Sequence, residues 1–437
     1  MPMPVSRPWF PTDLASSLSA DSPPSPHAAA RTPHKHLAAV FALAAVLAAS
    51  PALAQSADEP DPARVRVRIG PLSMNPTISL TNLGVDQNVF NDPPEKSPKS
   101  DFTATITPMT ELWLRIGPTW LTGTIKEDIV WYQKYASERS ASNAYGLGWR
   151  VPLSRMSFKT TLSYAKAKDR PGYEIDTRAA RTQVAYGGTA DIRALSKTLI
   201  GVGIDRRRIA FVEDTFYRGV SLHDEMTYTS TIMSATLRHE LTPLTSLALL
   251  VSRGTDRFDF SPLRDSDATS AVGTVAFNRF AVIKGGASLG YQAFKPSDPS
   301  LPGYTGTTGS ADLSYTLLGA TRFGINAKRD VQYSYDVAQP YYVQTGFDGS
   351  IAQQIFGPFD VVGRLGSHTL AYRDRAGAAP AVSNRIDRIK TYGVGVGFHM
   401  GKELRLGFNL DHVKRESDLK DRRYDNLKLG TAITYGF

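Results

Sequence analysis

The sequence predicts an all-β fold, a transmembrane antiparallel up-and-down β-barrel of about 18 strands. Three observations predict it. Apolar and polar residues alternate along nearly the whole chain, the alternating segments are long, and the connectors between them are short and long in turn. Leu404, Leu406, Phe408 and Leu410 alternate with Glu403, Arg405, Gly407 and Asn409. Tyr392, Val394, Val396 and Phe398 alternate with Thr391, Gly393, Gly395 and Gly397, and Ile200, Val202 and Ile204 with Leu199, Gly201 and Gly203. Successive side chains of a strand point to opposite faces, so each segment has one greasy face and one polar or small one.

Segment length separates a membrane barrel from a soluble sandwich. The expected strands cover residues 77–90, 101–115, 119–135, 143–151, 156–167, 178–193, 197–212, 226–240, 244–258, 267–278, 281–294, 305–317, 321–335, 341–356, 359–373, 385–400, 403–416 and 421–437. Most have about 12–17 residues, against about 5–6 in soluble domains. A tilted strand needs at least about 9–11 to cross a bilayer. Gly117-Pro118, Pro152 to Arg155, Leu241 to Pro243, Gly357-Pro358 and Gly401-Lys402 are tight turns. Between them lie the longer polar stretches Asn91 to Ser100, Lys168 to Thr177, Glu213 to Glu225, Lys295 to Tyr304 and Asp374 to Asn384. Short periplasmic turns and longer external loops alternate in this way in outer-membrane barrels. Trp131, Tyr132, Tyr135, Tyr333, Tyr335, Tyr341 and Tyr342 fall near strand ends, where an interfacial girdle is expected.

Composition narrows the class further. The 437 residues include no cysteine, which excludes a disulfide scaffold, a thiolate metal site and a cysteine nucleophile. Hydrophobic residues make up 41 %, too many for a disordered chain. The one long apolar run, Leu37 to Ala49, is too short for a transmembrane helix, which needs about 20 residues. It follows Arg31 and Lys35 and precedes Ala52-Leu53-Ala54, the order of a secretory signal peptide. The expected organisation is a cleaved extension and signal peptide over 1–54, a periplasmic arm over 55–76, and the barrel over 77–437, placed in the bacterial outer membrane. Within the arm, Arg64 to Ile69 alternates and could add a short strand.

The last strand carries Leu427, Leu429, Thr431, Ile433, Tyr435 and Phe437 on one face. An alternating strand that ends on an aromatic residue resembles the assembly signal of bacterial outer-membrane proteins. That resemblance implies recognition of Leu429, Ile433, Tyr435 and Phe437 by the barrel-assembly machinery. More diffusely, through strand number, the stretch Gln133 to Arg139 and the terminal strand, the mature chain resembles the porin-like outer-membrane barrels that include members associated with exopolysaccharide export. This second resemblance implies a porin-like barrel, with polysaccharide translocation as one role.

Barrels of 16–18 strands leave an aqueous lumen unless something fills it. A constriction would come from a folded-in loop, from the arm, or from lumen side chains. Inward candidates are Arg322, Lys328, Arg364, Glu403 and Arg405, with Arg206 and Arg208 near one rim. An outward Arg or Lys near mid-membrane would cost about 2–4 kcal/mol. The excess of these basic residues over the inward acids Glu403, Asp330, Asp387 and Asp411 points to anions as the favoured solutes. Three functions follow in order: a channel for hydrophilic, anionic solutes; an exopolysaccharide-export barrel opened by periplasmic partners; and a barrel hydrolase.

Catalytic signals are thin. Gly286-Ala287-Ser288-Leu289-Gly290 matches the nucleophile-elbow pattern but lies in an alternating strand, where no strand-to-helix turn exposes Ser288. Gly393 to Gly397 lacks the helix that would present amides to a phosphate. His223, Asp224 and Glu225 share a loop, and His368, His399 and His412 stand on separate strands without ligand spacing. No enzyme activity, cofactor or metal is expected. The basic residues form no stripe with interleaved aromatics, so nucleic acid is not expected as a partner. Outer-membrane lipid and lipopolysaccharide are, since Arg139, Lys166, Lys168, Arg373 and Arg375 lie near the loops.

Overall fold

The structure, a computed structural model, describes residues 65–278, 281–401 and 403–436. The expected signal peptide, the cleavage site after Ala54, most of the arm and Phe437 lie outside the described residues. Eighteen long strands form the wall: β1 Leu72–Asp86, β2 Asp101–Ile116, β3 Thr119–Tyr132, β4 Ser140–Pro152, β5 Met156–Asp169, β6 Ala179–Leu195, β7 Thr198–Phe211, β8 Tyr228–Thr242 and β9 Thr245–Phe258. They continue with β10 Ser266–Phe277, β11 Ile283–Pro296, β12 Tyr304–Leu317, β13 Thr321–Tyr333, β14 Tyr341–Phe356, β15 Phe359–Arg373, β16 Ile386–Met400, β17 Leu404–Ser417 and β18 Tyr424–Tyr435.

Every strand pairs antiparallel with its sequence neighbours, and β18 closes on β1, with Ile78 opposite Tyr435 and Asp86 opposite Lys428. Closure removes the sheet edges, and lipid demands this because it offers no hydrogen bonds to an exposed backbone. The closing seam carries a bulge between Leu80 and Leu83, with Asn82 at φ 52°. Gly84 follows it, and a Cβ there would overlap the Leu429 carbonyl.

The first strand begins at Leu72 rather than at residue 77. Pro76 reads as a break, yet it pairs in register with Thr110 of β2. Pairing with β18 starts only at Ile78, and proline is tolerated where a strand lacks a continuous partner on one side. Val67–Ile69 folds back on Leu72 to Met74 as a small hairpin at the rim, so the part of the alternating stretch Arg64 to Ile69 within the described residues yields a short strand over Val67–Ile69.

The greasy faces point out. Val202 is 59 % exposed, Val394 58 % and Leu429 59 %, values tolerable only against an apolar solvent. Leu429, Ile433 and Tyr435 share this outer face of β18. Placing a charge there tests the assignment. Leu429→Arg, at mid-strand, is expected to destabilise the barrel by about 2–4 kcal/mol. Urea titration of the folded, slow-melting band on a cold gel would measure it, and an unchanged midpoint would contradict a lipid-facing Leu429.

Candidate functional site

The opposite face lines the lumen. On β16 it presents Gly393, Gly395 and Gly397, which leave room for long side chains from neighbouring strands. A Cβ at Gly393 would overlap Arg364 and Asp411, and one at Gly397 would overlap Arg405 and Asp360. Arg364 reaches Asp411 at 2.8 Å and Asn409 at 3.1 Å. Arg405 forks onto Asp360, which His399 also meets at 2.6 Å. Lys328 lies 3.4 Å from Asp330, Lys126 3.0 Å from Asp128 and Lys428 2.8 Å from Asp86, while Arg181 pairs with Asp169. These inward charges stand in opposite pairs, whose fields largely cancel beyond a Debye length of about 8–10 Å.

Of the candidates read from the sequence, Arg322, Lys328, Arg364 and Arg405 face inward. Arg206 and Arg208 do not. They share parity with Ile200, Val202 and Ile204, so they sit on the outer face at the loop end of β7, where Arg208 pairs with Asp259 at 2.6 Å. Arg207 is the inward residue of that run. Glu403 is exposed in the turn between β16 and β17, where its side chain bonds the outward Tyr435.

The nine longer connectors gather at one rim and interlock there. Arg264 ties loop 259–265 to Glu225 at 2.8 Å and to the Pro340 carbonyl at 3.0 Å. Arg375 joins Asp298 at 2.6 Å, Gln339 joins Asp374 at 2.6 Å, and Arg218 pairs with Asp421. His223 bonds its neighbour Asp224, so with Glu225 engaged by Arg264 this trio serves the loop mesh. Ser288 faces inward in the middle of β11, a strand with no helical turn after it.

Loop 170–178, between β5 and β6, reaches into the lumen and meets strands from the far part of the wall. The Tyr173 hydroxyl lies 2.9 Å from His368 Nε2 on β15, with the rings stacked at 4.1 Å. Arg415 of β17 donates to the Tyr173 carbonyl at 2.9 Å and to Asp176 at 3.0 Å, and its other nitrogen binds Asp387. Arg422 donates to the Glu174 carbonyl and, at 3.1 Å, to the Tyr335 hydroxyl. The Glu174 carboxylate accepts from Ser334 Oγ at 2.6 Å and from the Tyr335 amide at 3.2 Å. Arg385 stacks on Tyr372 at 3.6 Å and lies 3.8 Å from Glu174, Asp336 and Asp387 alike. Glu174, Arg385, Arg415 and Arg422 are each at most 2 % exposed.

Two apolar clusters flank this polar knot. One packs Ile175, Phe211, Tyr217, Leu222, Met226 and Tyr335, and the other Tyr342, Leu370, Tyr372, Ile389, Val413 and Tyr424. The mouth therefore takes up several tyrosines expected at a lipid girdle. Tyr132, Tyr335, Tyr341 and Tyr342 are buried, whereas Trp131 remains outward. Pairing of β12 with β13 stops at Gly309 opposite Arg329. Beyond it Tyr333 packs on Phe258 and Tyr228, bonding Asp256 at 2.6 Å, so this hairpin end bends into the mouth.

Burial raises the Glu174 carboxyl above its usual range, and Arg422, the Ser334 hydroxyl, Arg385 and the Tyr335 amide offset this only in part. An acid whose pKa rises on docking takes up a proton as the loop docks. Docking thus strengthens as pH falls through the raised value and weakens as pH climbs above it. A spin label at Pro171→Cys, unique because the chain has no other cysteine, is expected to be less mobile at pH 5 than at pH 7.5. Greater mobility at pH 5 would contradict the assignment.

A closed barrel with a lipid-facing exterior, a polar interior and an inward loop at its mouth is an outer-membrane channel of the porin type. The chain belongs to the family described as "Putative beta-barrel porin 2", whose model matches residues 61–436. A comparison with curated proteins finds no match. Among solved structures, the chain is similar to a BenF-like porin from Pseudomonas fluorescens Pf-5, at 12 % identity and a TM-score of 0.45, over 83 % of this chain and 98 % of that one. It is similar also to the outer membrane protein OpdK from Pseudomonas aeruginosa, at 10 % identity and a TM-score of 0.44, over 83 % and 98 %. OccK9 from the same organism gives 13 %, 0.43, 83 % and 97 %.

Proposed function

We propose that this porin-like barrel passes hydrophilic solutes passively and favours anions, with loop 170–178 as the element that limits passage. The observation carrying the anion preference is the trio Arg385, Arg415 and Arg422 at the bridged mouth. Below the mouth, Lys126, Arg181, Lys328, Arg364, Arg405 and Lys428 each pair with an acid, which favours selection where the guanidiniums gather over selection by the net charge of the chain. Selection rests on width and field and needs no chemistry at the wall. Under a potassium chloride gradient, purified protein in a planar bilayer is expected to give a reversal potential on the chloride side. A cation-selective open channel would refute the preference.

The export reading has its own support. The Val67–Ile69 hairpin stands exposed at the periplasmic rim, with Ile69 62 % accessible, which suits contact with a periplasmic component. It calls for a barrel that stays silent alone and conducts once such a component docks. On the outer wall, Arg206 and Arg208 sit towards the loop end of β7, a position that suits contact with the phosphates of lipopolysaccharide.

A further inference from the structure

We infer that Arg385, Arg415 and Arg422 form a carboxylate-binding site, occupied in this structure by the chain's own Glu174 and Asp176, for which a carboxylate-bearing solute competes and so frees the loop. The inference rests on the channel reading above and adds the ligand class and the means of opening.

The arginines and the acids that fill them belong to different parts of the fold. Arg415 is on β17, Arg385 directly precedes β16, and Arg422 is in the short β17–β18 loop. Each is held independently of loop 170–178, Arg415 by Asp387 and Arg385 by the face of Tyr372 on the wall, and Arg422 by the Tyr335 hydroxyl of loop 334–340. Glu174 and Asp176 arrive from across the lumen on loop 170–178. With the loop docked, three guanidiniums face four carboxylates: Glu174, Asp176, Asp336 and Asp387. With it withdrawn, three face two, and the site changes from net negative to net positive. A vacated mouth therefore attracts anions, whereas the docked one repels them.

The fit of the internal acid is also incomplete. Arg385 is 1 % exposed, yet its Nε and Nη2 have no hydrogen-bond partner among the described residues, and all three of its ion pairs sit at 3.8 Å. A guanidinium presents a planar fork that a carboxylate can meet with two parallel bonds near 2.8 Å. Glu174 is kept from doing so because its oxygens are already engaged by Ser334 and Tyr335. A free carboxylate carries no such restraint, and that difference lets a solute compete with a tethered acid.

The test uses the full chain in planar bilayers, with gluconate added on the loop side and sorbitol as the uncharged control. Gluconate is expected to raise the open probability of the native protein, and sorbitol to leave it unchanged. Asp176→Asn, which removes the loop carboxylate that Arg415 and Arg422 hold, is expected to open without gluconate. Arg385→Met should lose the response, and Arg385→Lys, which keeps the charge without the fork, should need about tenfold more gluconate. Cold-gel mobility verifies that each variant is folded, and if Arg385→Met fails to fold, the lysine variant decides alone. A native channel that opens equally with and without gluconate, or an Arg385→Lys response equal to the native one, would overturn the carboxylate site while leaving the channel intact. Silence even after loop 170–178 is cut away would instead refute the channel reading.

Discussion

Replacing residues 171–176 with two glycines is expected to raise the time-averaged conductance of the purified barrel about a hundredfold. The deleted segment contains the Tyr173 ring on His368, the Glu174 carboxylate, the buried Ile175 and the Asp176 carboxylate, which together tie the loop to β15, β17 and loops 212–227, 334–340 and 418–423. Hydrogen bonds to charged groups contribute about 1.5–3 kcal/mol each. Two of them suffice to hold a closed to open ratio near a hundred to one. The wall should survive, because β5 and β6 stay paired from Met156–Ile192 to Asp169–Ala179 without help from the loop. Equal conductance in native and shortened proteins, both running as folded barrels, would show that the loop does not obstruct the lumen.

The second large effect is expected from Arg415→Met. Arg415 is fully buried and bonds Asp387, Asp176 and two loop carbonyls. Methionine fills much of the volume but leaves Asp387 buried beside fewer counter-charges. Removing one partner of a buried pair costs about 3–5 kcal/mol. The loss should stay local, since the β17 ladder to β16 and β18 is made by the backbone. Limited proteolysis should therefore cut loop 170–178 quickly while the slow-melting barrel persists. Lys414→Met, one residue away on the outer face, breaks only an exposed pair with Glu416 and should change stability by at most about 1 kcal/mol. Similar proteolysis of the two variants would contradict the role given to Arg415.

The wall was legible in the sequence because period two is strict where one face meets lipid and the other water. All eighteen strands fall within a few residues of the expected spans, Pro76 being the instructive departure. Parity identifies the inward arginines wherever it is followed to the strand end. Arg415 continues the inward series of Arg405, and Arg207 stands between the outward Arg206 and Arg208, so the misplacement came from departing from the rule; parity itself changes only across a bulge such as that between Leu80 and Leu83. The mouth was not legible in this way. Glu174 meets Arg422 across hundreds of residues, through loops without periodicity, and nothing in a single sequence marks one loop of nine as the one that folds inward. The buried tyrosines show the same limit, since an aromatic residue at a strand end suits a lipid interface and a packed mouth equally well.

The most direct test of the account is single-channel recording of the purified full chain beside the variant with residues 171–176 replaced, both under a potassium chloride gradient. The account predicts rare openings of the native barrel, sustained openings of the variant, and a reversal potential on the chloride side for both. A folded variant that stays silent would contradict it.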